Sequence, residues 1–178
     1  MKTQGIHKLH FMAQAGMIAA IYAVLTYAAA AMNLAYGAVQ FRFSEALTLL
    51  PVMTPAAIPG LAIGCFLANL ASPLGPVDWV FGTAASLLAA VLSYLARNIR
   101  IKSLPVLSMF FPVLCNAVII GLEIVWIGVM DSGTAAWAEF LPTAISVGAG
   151  ELAVCAVLGL PLTALLERSG TAKKIFCC

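Results

Sequence analysis

The chain has 178 residues, 63% of them hydrophobic and only 9% charged, with a mean hydropathy of +1.05 and a formal net charge of +2. A soluble domain carries about 25% charged residues, so composition excludes a water-soluble globular protein and leaves an integral membrane protein. The short polar stretches leave no room for a basic nucleic-acid surface or a nucleotide fold, and no GxxxxGK[ST], HExxH or GxSxG string occurs. An enzyme is therefore not expected, and no cofactor is called for.

A helix needs about 20 apolar residues to cross roughly 30 Å of hydrocarbon, and the apolar runs here lack the alternation of barrel strands. The expected fold is all-α, a single membrane domain over residues 1–178 with six transmembrane helices at about 11–33, 43–55, 57–72, 80–96, 104–128 and 141–166. The break between the second and third helices rests on Thr54-Pro55 and Pro59-Gly60, because proline lacks the amide hydrogen that a helix interior uses. The apolar run after the basic start exceeds the roughly 7 to 15 residues of a signal peptide, so it is expected to stay as a helix.

Six crossings put both termini on one side. Lys2, Lys8, Arg97, Arg100, Lys102, Arg168, Lys173 and Lys174 then share that side, which the positive-inside rule makes the cytoplasm. Arg42, Asp78, Asp131 and Glu139 fall in the outer loops. Cys65, Cys115 and Cys155 are isolated on separate helices and read as packing residues, with no role for Cys177 and Cys178. His7 and His10 suit a solvated flank better than a metal site, since two histidines leave coordination incomplete.

Three acids interrupt the apolar spans. A carboxylate near the bilayer centre costs roughly 2.5 to 3.5 kcal/mol on insertion scales, so Glu45, Glu123 and Glu151 are site candidates whose natural partner is a cationic ligand. All three fall in the outer half of the expected bundle. Asn69 and Asn116 add amide groups at similar depth, and the seven-residue step from Asn116 to Glu123 puts both on one helix face. Arg42 is the one nearby cation and neutralises one acid at most. Phe41, Phe43, Trp79 and Trp126 are candidate apolar walls, although membrane interfaces enrich tryptophan for lipid reasons.

The strings Arg42-Phe43-Ser44-Glu45-Ala46-Leu47-Thr48-Leu49-Leu50-Pro51 and Asn69-Leu70-Ala71-Ser72-Pro73-Leu74-Gly75-Pro76 resemble the QueT family over essentially the whole chain. Those proteins are substrate-binding S-components of energy-coupling factor transporters in the bacterial cell membrane. The resemblance implies uptake of a queuosine precursor, a deazaguanine base, together with a T-component and two cytoplasmic ATPases. Ligand-binding residues are then expected among Glu45, Asn69, Asn116, Glu123, Glu151, Arg42 and Trp79. Ala15, Ala19 and Ala23 recur every four residues, and the resemblance makes that stripe the T-component interface. Two alternatives remain: an S-component for another vitamin, and an ion-coupled transporter or channel using the acids as a relay.

Overall fold

The computed structural model describes residues 2–35, 41–101, 104–133 and 137–176. Helix α1 spans Lys2–Ala31, a 3-10 helix spans Phe43–Val52, α2 spans Ala57–Asn69, α3 spans Pro76–Leu95 and α4 spans Val106–Ser132. Helix α5, Trp137–Val154, runs through a π turn at Cys155–Gly159 into α6, Leu160–Arg168, and α7 covers Thr171–Phe176. Apolar helical segments thus occur at all six expected places. Among the described residues, four stretches are long and apolar enough to cross a membrane: Gly5–Ala31, Pro76–Leu95, Val106–Ser132 and Trp137–Arg168.

The second and third segments are shorter. Ten residues of 3-10 helix rise about 20 Å and the 13 residues of α2 about the same, against roughly 30 Å of hydrocarbon. The second expected helix is also not an α-helix. In an α-helix the Glu45 carbonyl would accept the amide hydrogen four residues on; here it takes the Thr48 hydroxyl at 2.6 Å and the Cys155 thiol at 3.5 Å. Pro51 removes a further donor, and the Leu50 carbonyl closes the helix by accepting from Met53 and Thr54. Non-α backbone is tolerated at membrane depth where protein surrounds it, and Ser44 to Val52 are all buried.

Helices α1 and α2 run parallel and very close. A β-carbon on Gly60 would lie 2.9 Å from the Ala15 carbonyl, and one on Gly64 2.8 Å from the Tyr22 β-carbon. The Tyr27 hydroxyl donates to the Leu67 carbonyl at 2.6 Å further along the same pair. The 3-10 helix between them must therefore run back, and α2–α3, α3–α4 and α4–α5 are antiparallel neighbours. Both chain ends consequently meet at one end of the bundle, where Gln14 donates to the Ile175 carbonyl at 2.8 Å and Arg100 pairs with Glu167 at 2.7 Å. Lys2, Lys102, Lys173 and Lys174 lie outside the described side chains.

Ala15, Ala19 and Ala23 are buried within the chain, with Ala15 against Gly60 and Ala19 against Gly64 of α2, where glycine allows the close approach. The outward face of α1 carries Gly16 and Ala20 instead, both exposed.

Proline inside α4 is matched by a neighbour. Pro112 cannot donate to the Ser108 carbonyl, which accepts the Ser93 hydroxyl of α3 at 3.0 Å, while the Ser108 hydroxyl returns a bond to the Ser93 carbonyl at 3.2 Å. That reciprocal pair fixes α4 against α3 below the row that carries Asn116 and Glu123.

Candidate functional site

The N-x-x-S-P-x-G-P string is a turn that delivers an acid. Asn69 ends α2, the Ser72 hydroxyl accepts from the Leu74 amide at 3.3 Å, and Gly75 takes a φ of 66°, a left-handed conformation that favours glycine. Pro76 then opens α3, where its missing amide hydrogen costs nothing, and Asp78 falls in the first turn. Asp78 is not in an outer loop, as its position before the expected fourth span suggested; it is 1% exposed and faces Asn69.

Four carboxyl groups and one guanidinium are buried together. Exposures of 0% for Glu123, 1% for Asp78, 2% for Glu45, 6% for Glu151 and 8% for Arg42 place the whole group away from bulk solvent. Arg42 leads into the 3-10 helix, its Nε donating to the Ala35 carbonyl at 3.3 Å and its Nη1 to Asn69 Oδ1 at 3.4 Å. Its Nη2 lies 3.9 Å from Asp78 Oδ2. Asn69 Nδ2 donates to the Asp78 carbonyl at 3.1 Å and to Oδ1 at 3.3 Å, so this amide is engaged on both sides.

Glu45 extends from the first turn of the 3-10 helix. Its Oε1 accepts the Tyr22 hydroxyl of α1 at 2.5 Å, whereas its Oε2 accepts no hydrogen bond from a donor among the described residues. Glu151 of α5 interacts with Glu45 and with the Asn116 side chain of α4. The Cys155 thiol, one turn beyond Glu151, lies 3.9 Å from its Oε1 and 3.6 Å from the Thr48 hydroxyl. Glu123 stands within electrostatic reach of Asp78 and Arg42, yet neither of its oxygens has a hydrogen-bond partner among the described residues.

Buried polar atoms without partners are uncommon and each costs about 1 to 3 kcal/mol, more when charged. Here Glu45 Oε2, Asp78 Oδ2 and both Glu123 oxygens are in that state. With four carboxyl groups against one guanidinium, a donor-rich or cationic molecule is the chemical complement of this cluster.

All three glutamates singled out in the sequence are brought together with Arg42, Asn69 and Asn116. Trp79 follows Asp78 on α3, half-buried and edge-on to Phe66 of α2 with ring centroids 6.4 Å apart, its Nε1 without a hydrogen-bond partner among the described residues. The other wall candidates lie elsewhere. Trp126 is 54% exposed on a shallow outer groove with Pro76, Val77 and Phe81, and Phe41 and Phe43 line an apolar groove of about 260 Å³ with Val154 and Val157. Sequence reasoning missed Asp78 and Tyr22. The signal for Tyr22 was a phenol within an alanine-rich apolar helix, whose hydroxyl needs a partner when buried.

A family model described as QueT transporter matches residues 12–168. No curated protein and no solved structure matches the chain.

Proposed function

The chain belongs to the QueT transporter family, a multi-pass membrane protein serving a small-molecule substrate, and from that membership we propose that it is the substrate-binding S-component for a queuosine precursor. The reading carries with it a T-component, two cytoplasmic ATPases and a bacterial cell membrane, with both termini on the cytoplasmic side. One observation supports the choice of ligand above the rest: Glu123, fully buried, holds two oxygens that accept from no donor among the described residues. A deazaguanine offers two donors on its guanidine-like edge, which match one carboxylate in a bidentate way, and an aminomethyl arm adds a cation for a second carboxylate. Glu45 and Glu151, which adjoin each other, are the partners for that arm, and Glu45 Oε2 accepts no hydrogen bond from a donor among the described residues.

Single Glu→Gln substitutions test the assignment. Losing one charge-assisted hydrogen bond costs about 1.5 to 3 kcal/mol, which is roughly ten- to a hundredfold in dissociation constant. Glu45→Gln, Glu123→Gln and Glu151→Gln are each expected to weaken binding by that factor in equilibrium titrations of the purified, folded variants. Three variants that titrate like the unmodified chain would make the acids structural.

The T-component surface proposed here is the outward face of α1 around Gly16 and Ala20. A β-carbon on Gly16 meets no atom within 4 Å, so a second helix has room to approach.

A further inference from the structure

We infer that Asp78, acting with Asn69, is a positioning residue that holds the Arg42 guanidinium away from Glu123, so that Glu123 keeps its carboxylate open for the ligand. This rests on the ligand reading above and adds a division of labour within the cluster. Arg42 carries the buried positive charge of the site, and Glu45, Asp78, Glu123 and Glu151 all lie within its electrostatic reach. Left to itself, a guanidinium among four carboxyl groups would settle against whichever offers two free oxygens, and Glu123 offers both.

The fold prevents this through α2 and α3. Asn69 Oδ1 accepts from Arg42 Nη1 at 3.4 Å, while its Nδ2 is locked to the carbonyl and Oδ1 of Asp78 at 3.1 and 3.3 Å. Asp78 Oδ2, at 3.9 Å from Nη2, supplies the charge that keeps the guanidinium there. Gly82, one turn along α3, makes the arrangement possible: a β-carbon there would collide with the Asn69 amide and lie 2.7 Å from Asp78 Oδ1. The Arg42–Asn69–Asp78 unit is thus matched in charge and tied together through Asn69, with Asp78 Oδ2 engaged by the 3.9 Å ion pair rather than by a hydrogen bond, and Glu123 is left outside it. Asn69 and Arg42, both expected as ligand contacts, become the supports of one.

The test uses the purified full-length chain and two probes, a deazaguanine base with an aminomethyl arm and the same base without it. Asp78→Asn keeps the shape but releases Arg42 toward Glu123, so binding of the armed base should fall about tenfold or more and that of the armless base, whose donor edge also needs Glu123, should fall with it. Adding Arg42→Gln removes the released charge. The double variant Arg42→Gln/Asp78→Asn should therefore regain affinity for both probes to within about threefold of the unmodified chain. A purely structural ion pair would lose and regain stability in the same cycle, so unfolding temperatures are read beside affinity, and the inference requires affinity to fall and recover by more than the change in stability explains. Should Asp78→Asn fail to fold, Asp78→Glu, which retains the charge, and the double variant carry the comparison, both expected near the unmodified affinity. A double variant that binds no better than Asp78→Asn, or that folds and binds neither probe, overturns the inference. Failure of the unmodified chain to bind either probe would instead sink the ligand reading itself.

Discussion

Cells producing the chain with Gly16→Trp or Ala20→Trp, together with a T-component and ATPases, are expected to accumulate no substrate above background, while the purified variants still bind it. Both positions are exposed on α1, on the side opposite the glycines of α2, and an indole there would block close approach of a second helix without touching the acid cluster. Ala19→Trp makes the contrast. Ala19 is 4% exposed and packed against Gly64, so an indole must displace α2 and is expected to cost both binding and transport. Uptake assayed beside binding in the same three variants checks this. Normal uptake with Gly16→Trp and Ala20→Trp would mean that no partner uses this face, and accumulation by the chain without ATPases would favour ion coupling.

Glu123→Leu is expected to make the unliganded protein more stable and unable to bind. The glutamate buries two oxygens without partners, and replacing an unsatisfied polar group by an apolar side chain of similar volume removes a penalty of about 1 to 3 kcal/mol. Binding should fall by about a hundredfold or more, since the donor edge of the ligand would then face a hydrocarbon. Thermal unfolding in detergent, with and without ligand, reads both effects. A Glu123→Leu protein less stable than the unmodified chain would show that the carboxylate serves the fold, and unaltered binding would remove it from the site.

Much of this was legible in the sequence because a bilayer makes buried charge conspicuous. Glu45, Glu123 and Glu151 stood out against apolar surroundings, and Asn116 joined them through helical spacing alone. Asp78 did not, since it lies two residues before the expected start of its helix at residue 80 and read as a loop charge; only the turn through Gly75 and Pro76 brings it under Asn69. The burial of the alanine stripe was not legible for a different reason. Four-residue spacing identifies a flat face but not its direction, and the direction was decided by Gly60 and Gly64 on another helix. Hydropathy likewise located the Phe43–Val52 segment without its 3-10 form, which depends on Thr48 and on Cys155, more than a hundred residues away.

A buried, under-compensated group of carboxylates that binds a donor-rich cationic base should distinguish three ligands in calorimetric titration of the purified chain: the aminomethyl deazaguanine, the armless base and guanine. The armed base is expected to bind tightest, loss of the arm to cost about tenfold or more, as for one charge-assisted contact, and the armless base still to bind measurably through its donor edge. Equal affinity for the armed and armless bases, or no binding of any of the three by folded protein, would contradict this.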